Sequence, residues 1–468
     1  MTGKRKRKLA MPDTLIIVAS VVLLVAILSW IIPSGTYDYQ EMNINGRIRN
    51  VAIDGTYHTI DKSEVTTTGF LGFFSVLYRG CVEAADVIFM ILCCCGTFGV
   101  VVKTGAFHAG IGTILKKLKG KEILLVPIIM MIFGLGGSVF GMASEFYGFY
   151  PLIVGLGVAL GYDAMFGFAI IAVGEFVGFM GATLNPYSVG IAQTISGVEL
   201  YSGTGYRTIC FVIFMVISII YVMMYGRKIK KNPGASVVFG EKNIHAFDRD
   251  ELNEYSFTLK DGLVLLDVLV VLVVLMFGLI KWGWDFPQLC GLFLLMSMIA
   301  AAICKWSPNK WCSEFIESAK TAMWGCILTG IAKAITVVMQ DAQIMDTVIY
   351  GLSNVLKNAP HAVSAQVMLV VQTLINFFIP SATGQASATM PIMAQLADII
   401  GVSRQTAVLA FQFGDGLSNI FWPTADIVII CGLGGISLQK WYKWFTPLFL
   451  ILFATQAILL GIATGIGF

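Results

Sequence analysis

A chain of 468 residues that is 57% hydrophobic and only 13% charged, with a mean hydropathy of +0.81, carries more apolar side chain than a water-soluble core can enclose. The composition excludes a soluble catalytic or binding domain and points to an all-α polytopic membrane protein. A net charge of +3 is too small to draw in nucleic acid, and no such partner is expected; the partner the apolar runs require is a lipid bilayer.

The run Lys4 to Lys8 is basic throughout and precedes a first apolar stretch over 14–32. The positive-inside rule places this N-terminus in the cytoplasm. At about 19 residues, with no small-x-small cleavage site after it, the stretch reads as an uncleaved span and not a signal peptide. About 35 polar residues follow, in which Asn45-Gly46 and Asp54-Gly55 separate short alternating stretches. That pattern predicts a small external β-meander. Residues 69–78 are aromatic but too short to cross and belong at the interface. A second span over 82–102 returns inward, and an amphipathic helix over 105–121 faces its lysines to the cytoplasm. His108 on that helix reads as an interface residue, not a proton relay.

Residues 122–160 are divided by Gly134 to Ser138 and Gly141 to Glu145 into apolar pieces of about 13 to 16 residues. Both are short for spans, which predicts a re-entrant hairpin. A span over 164–196, broken at Gly181 to Pro186, and another over 206–226 complete a first membrane repeat, residues 1–231, that ends in the basic cluster Arg227 to Lys231. A charged cytoplasmic linker, 232–261, holds Pro233 and His245. The second membrane repeat, 262–468, contains spans over 262–281 and 286–304 with Trp282 and Trp284 between them as interface anchors, and a third over 318–340. An amphipathic stretch to Lys357 leads to a second hairpin over 363–400, tipped at Ile379 to Gly384. A span over 404–432 broken at Phe421 to Thr424 and a last span over 442–467 complete the chain. The expectation is about nine transmembrane helices, two re-entrant hairpins and two broken helices, in the cell inner membrane with the C-terminus outside. The ten cysteines show no disulfide spacing and no C-x-x-C, so they serve as small apolar side chains.

The two halves repeat one another. Gly141-Met142-Ala143-Ser144 is answered by Gly384-Gln385-Ala386-Ser387, Gly174-Glu175 by Gly414-Asp415, and Asn185-Pro186 by Pro423-Thr424, at offsets of 243, 240 and, proline to proline, 237. Small residues that merely pack helices account for one such patch, but not for three matches in the same order. Counting crossings makes the second and seventh spans run in opposite directions, so the repeats are inverted and the hairpins enter from opposite faces.

Backbone polar groups at membrane depth are tolerated only where protein or a polar cavity satisfies them. Two hairpin tips and two breaks therefore imply a central polar site. Half-helix ends there can hold an anionic group, while carbonyls and hydroxyls can hold a cation. The substrate candidates are Ser138, Ser144, Glu145, Glu175 and Asn185 in the first repeat, and Thr383, Ser387, Asp415, Asn419 and Thr424 in the second. Candidate Na⁺ ligands are Ser138, Thr183, Asn185, Ser381, Ser418 and Asn419. For any one hydroxyl, a bond back to its own helix is the plainer account; their crowding at the breaks favours a site. An ionisable group in a span is costly without a partner or cavity. Glu145, Glu175, Asp415 and Asp426 outnumber Lys333, the one basic residue read as lying well inside a span. One ion pair with Lys333 would leave the other acids to meet a cationic solute, Na⁺ or H⁺.

The order hairpin, broken span and Gln412-Phe413-Gly414-Asp415-Gly416, with a following Asn and Pro, resembles the C4-dicarboxylate anaerobic carrier family in its YfcC-like branch, which includes basic amino-acid and arginine/ornithine antiporters. The resemblance covers almost the whole chain and is strongest over 376–424 and 136–145. It implies an elevator-type transporter of the wider ion-transporter superfamily, with a homodimeric scaffold and Na⁺ coupling. Glu175 departs from the small polar residue that the resemblance implies after the glycine. The expected function is secondary active transport of small carboxylate-bearing solutes, basic amino acids above all, coupled to Na⁺ or H⁺ and needing no cofactor; the alternative is C4-dicarboxylate transport. A channel would need a continuous pore where the hairpins imply gates. H-E-x-x-H and G-x-S-x-G are absent and histidine totals four, so no enzyme is expected.

Overall fold

The computed structural model describes residues 14–44, 47–118, 122–241, 245, 256–357 and 363–468. The basic run 4–8, the Asn45-Gly46 turn, Lys119, Lys121 and much of the linker lie outside them. The described chain is dominated by helices. Among the described residues, eight stretches are long and apolar enough to cross a membrane: Thr14–Ile31, Ala85–Lys103, Glu122–Phe140, Thr204–Lys231, Leu259–Leu279, Phe286–Ile303, Met323–Asp341 and Leu438–Gly465.

In chain order, α1 (Thr14–Ile31) leads into four short strands, β1 (Ser34–Thr36), β2 (Tyr39–Ile44), β3 (Arg47–Ala52) and β4 (His58–Ile60). These do not form the expected meander. β2 pairs with β3 and β1 with β4, both antiparallel, so one hairpin is nested inside the other pair. The reason lies about 300 residues away in sequence. Asp346 accepts the Thr36 hydroxyl (3.1 Å), the Tyr37 N–H (3.0 Å) and the Tyr39 hydroxyl (2.8 Å), while the Tyr57 ring stacks on Tyr350. A single buried carboxylate thereby fixes the end of β1 and the start of β2, and sequential pairing is lost.

Helices α2 (Phe70–Glu83), α3 (Ala85–Lys103) and α4 (Ala106–Leu118) follow. Next come α5 (Leu125–Leu135), a π-helical stretch over Gly136–Phe140, and α6 (Phe149–Ala159). The glycines at 134–137 do not end the first arm, because the π turns keep the backbone bonded to Phe140. With its opening turn that arm spans Glu122–Phe140, 19 residues, which is longer than the 13 to 16 read from the glycine punctuation. The half continues with α7 (Ala164–Met180), α8 (Val189–Ile195) and α9 (Thr204–Lys231).

The second half runs α10 (Leu259–Lys281), α11 (Phe286–Ile303), α12 (Pro308–Lys320), α13 (Met323–Asp341), α14 (Met345–Lys357), α15 (Ser364–Phe378), α16 (Ala382–Ile400), α17 (Arg404–Ser418), α18 (Asp426–Gly434) and α19 (Leu438–Gly465). The expected span over 318–340 is α13, beginning five residues later at Met323, because residues 318–320 close α12, a separate amphipathic helix with Pro308 in its first turn and its Ser307 cap. Element lengths recur between the halves. α3 and α13 each have 19 residues, α4 and α14 each 13, and α9 and α19 each 28.

Burial sorts the helices into a shell and a centre. α1, α10 and α11 leave rows of Leu, Ile and Met outside, as lipid-facing helices do. α7 is apolar all round but for Glu175, and every residue of it is buried, as is α17 from Thr406 to Ser418. α7 packs on α5, α6, α9 and α17, and α17 packs on α15, α16 and α8. Glycine makes the central crossings close. A Cβ on Gly178 would stand 2.1 Å from the Gly134 carbonyl oxygen, and one on Gly416 2.4 Å from the Met180 Cα.

Candidate functional site

The first break, residues 181–188, separates α7 from α8 and is knitted to the π stretch. The Ser138 hydroxyl donates to the Gly181 carbonyl (3.1 Å) and meets the Thr183 hydroxyl (3.2 Å). The Ser138 carbonyl in turn accepts the N–H groups of Thr183 (2.9 Å) and Leu184 (3.2 Å). Two further carbonyls take donors from other helices. Gln412 Nε2 donates to Phe179 O (2.7 Å), and the Arg207 fork donates to Thr183 O from Nε (3.4 Å) and Nη2 (3.2 Å). Asn185 Oδ1 accepts the N–H groups of Tyr187 (2.9 Å) and Ser188 (3.2 Å), which shapes the turn into α8. Gly141, with φ +68°, sits against this amide: a Cβ there would come 2.3 Å from Asn185 Oδ1.

The second break, residues 419–425, separates α17 from α18. The carbonyls of Ile420 and Phe421 accept Trp441 Nε1 and the Tyr442 hydroxyl, both at 2.8 Å. One turn earlier, Asp415 Oδ1 accepts Asn376 Nδ2 (2.9 Å) from the end of α15. Asn376 also donates to Gln385 Oε1 (3.1 Å), Gln385 to Gln372 Oε1 (2.6 Å), and Gln372 to the Thr389 hydroxyl (3.1 Å). The two arms α15 and α16 are thus joined to Asp415 by an amide chain with no apolar gap.

A third cluster lies between α6, α7 and α18. The Tyr150 hydroxyl donates to Glu175 Oε2 (2.8 Å) and the Tyr147 hydroxyl to Asp426 Oδ1 (2.6 Å), while Glu145 Oε2 accepts the Ala143 N–H (3.0 Å). None of Glu145, Glu175, Asp415 or Asp426 forms an ion pair among the described residues, and neither does Lys333. Its pairing with the nearest acid is not formed here.

The candidates read from sequence fall into three groups. Ser138, Thr183 and Asn185 meet at the first break. Asp415, Asn419 and Thr424 lie at the second, with Glu145 and Glu175 in the acid cluster beside them; Asn185, Glu175, Asp415, Asn419 and Thr424 each retain a buried polar atom without a partner. The remaining hydroxyls are engaged locally. Ser387 donates to Thr383 O (2.9 Å) and Ser418 to Gly414 O (2.5 Å), both within one helix; Ser381 caps α16; Ser144 is half-buried beside Glu145. Thr383 crosses between the halves, donating to Tyr187 O (2.9 Å). Sequence reasoning missed Arg207, Tyr147, Tyr150 and the amides of Gln372 and Gln385. The available signal for Arg207 was an arginine inside the first turn of an apolar helix with no acid nearby.

A family model described as C4-dicarboxylate anaerobic carrier (DcuC) matches residues 11–465. The chain is 32% identical over 492 residues, 97% of each chain, to a protein of Escherichia coli (strain K12) named "Putative basic amino acid antiporter YfcC". It is 27% identical over 500 residues, 98% of each chain, to a protein of Haemophilus influenzae that carries no functional name. Among solved structures, the Alcanivorax borkumensis YdaH transporter aligns with a TM-score of 0.44 at 14% identity, over 98% of this chain and 99% of that one. Neisseria gonorrhoeae MtrF aligns with a TM-score of 0.43 at 15% identity, over 97% and 96%. Scores this low leave the fold to be read from the chain itself.

Proposed function

The chain belongs to the C4-dicarboxylate anaerobic carrier family, a family of membrane transporters, and from that premise we propose that it exchanges basic amino acids such as arginine and ornithine. The observation that carries the reading is the set of four inward carboxylates, Glu145, Glu175, Asp415 and Asp426, with no ion-pair partner among the described residues. An unpaired buried charge costs several kcal/mol even after relaxation. A cationic solute, Na⁺ or H⁺ would remove that cost on binding. The name of the Escherichia coli relative supports the same substrate class.

In this reading the matching helix lengths are two inverted repeats, the pairs α5–α6 and α15–α16 are re-entrant hairpins, and the central helices move as an elevator against a homodimeric scaffold in the inner membrane. The N-terminus is cytoplasmic and the C-terminus outside. Cysteines placed at Lys117 and Lys357 in a background without accessible thiols should label from opposite faces, Lys117→Cys from the cytoplasm. Labelling of both from one face ends the inverted-repeat reading.

Arg207 favours a second reading, since a buried guanidinium suits a dicarboxylate. Counterflow in proteoliposomes with arginine, ornithine, neutral amino acids and succinate separates the two. We expect saturable exchange of arginine or ornithine, in a Na⁺ or pH gradient-sensitive manner. Succinate as the sole exchanged solute overturns the amino-acid reading.

A further inference from the structure

The two breaks are built alike but leave opposite chemistry unpaired. At the first, the carbonyls of Phe179, Gly181 and Thr183 already accept Gln412, Ser138 and Arg207. What remains there without a partner is the donor pair Asn185 Nδ2 and Arg207 Nη1 with the Ser188 hydroxyl beside them, on residues no more than 2% exposed; a bare acceptor, Gln412 Oε1, reaches this break from α17 of the second half. The Asn185 orientation is dictated, because its other terminus accepts two backbone N–H groups and must be oxygen. At the second, what remains is mostly acceptor: Asn376 Oδ1, Asp415 Oδ2 and Asn419 Oδ1, together with the Thr424 hydroxyl, which is also without a partner. Asn376 is likewise fixed, since its Nδ2 faces both Gln385 Oε1 and the Asp415 carboxylate. All four residues are at most 4% exposed.

The breaks adjoin. Gly416 of α17 lies against Met180, the last residue of α7, and Gln412 bonds to Phe179. Buried donors and a fixed positive charge on one side, and buried acceptors and a carboxylate on the other, make a dipolar receptor. Groups so deeply buried reach low free energy only when a complementary ligand satisfies them.

We propose that the substrate is held across this junction in one polarity. Its carboxylate lies on the first break, on Asn185 Nδ2 and in the field of Arg207; its ammonium group lies on the second, on Asp415 and Asn419. This rests on the amino-acid reading for the ammonium half, whereas the carboxylate half holds for a dicarboxylate as well.

The test is binding to the purified full chain of three ligands that differ in one end: L-arginine, agmatine (no carboxylate) and 5-guanidinopentanoate (no α-amine). Asn185→Ala and Arg207→Gln should each weaken L-arginine and 5-guanidinopentanoate about 10- to 100-fold, the loss of one hydrogen bond to a charged group, and leave agmatine unchanged. Asn419→Ala should weaken L-arginine and agmatine and spare 5-guanidinopentanoate. Arg207→Lys keeps the charge and should keep the preference for a carboxylate, which separates electrostatics from folding if Arg207→Gln is not recovered. Equal weakening of all three ligands by Asn185→Ala and Arg207→Lys, or the reversed pattern, overturns the proposal. If wild type binds only succinate, the amino-acid reading falls while the polarity is still judged: weaker succinate binding in Arg207→Gln sustains the carboxylate assignment, and unchanged binding overturns it. A wild-type chain that binds no carboxylate at all overturns both.

Discussion

Asp415→Asn should lower counterflow of the native substrate about 30-fold or more while leaving the amount of folded protein near wild type. The substitution keeps the side-chain volume and removes only the charge. One contact survives readily, because an amide oxygen can accept Asn376 Nδ2 as Oδ1 does now at 2.9 Å. The other oxygen, Oδ2, has no protein partner, and in the asparagine variant that place is taken by an amide N–H₂ facing the incoming cation. Truncating one side of a buried charge contact costs about 2–5 kcal/mol, and about 1.4 kcal/mol is tenfold in binding. Proteoliposome counterflow together with a melting curve in detergent checks both halves of the expectation. Wild-type exchange rates would show that Asp415 only anchors the Asn376, Gln385 and Gln372 chain. A collapsed melting curve would assign it a structural part in joining α15 to α17.

What could be read from sequence follows from how local each signal is. The first break was placed at 181–186 and begins at Gly181, because Gly181 and Pro186 interrupt an otherwise uniform apolar run. The turn between α15 and α16 was legible for the same reason: Pro380 and Ser381 end α15 and cap α16 within a few residues. The nested β pairing was not legible, since the residue that imposes it, Asp346, is 309 positions from Tyr37. Nor was the length of the apolar stretch that ends at Phe140. A run of glycines ends a helix unless the backbone finds another bonding pattern, and the π turns at Gly136–Phe140 supply one that composition does not reveal. Tyr147 and Tyr150 counted as apolar bulk until their hydroxyls were found on Asp426 and Glu175. Arg207 drew no reading from sequence, because its inward turn onto the Thr183 carbonyl depends on how α9 packs against the first break.

Gly178→Ala should destabilise the protein by about 1–3 kcal/mol or more, whereas Gly351→Ala should stabilise it by up to about 1 kcal/mol. Both add one methyl group to a helix. In α14, Gly351 faces open space, with nothing within 4 Å of the added Cβ, so only the entropy of the unfolded chain changes. In α7, the Cβ of residue 178 would stand 2.1 Å from Gly134 O and 2.5 Å from Gly134 Cα. Those are backbone atoms, which cannot swing aside as the end of a long side chain can. The crossing of α5 and α7 must open, and Gly137, whose own added Cβ would meet Glu175 O at 2.5 Å, moves with it. That motion carries Ser138 away from Gly181 and Thr183, which now hold it at 3.1 and 3.2 Å. Stability and substrate affinity should therefore fall together in Gly178→Ala and separate in Gly351→Ala. Unfolding midpoints in detergent and ligand binding on the same samples measure the pair. A Gly178→Ala protein that melts and binds as wild type would mean that the two helices cross with room to spare, and that the first break does not depend on this contact for its shape.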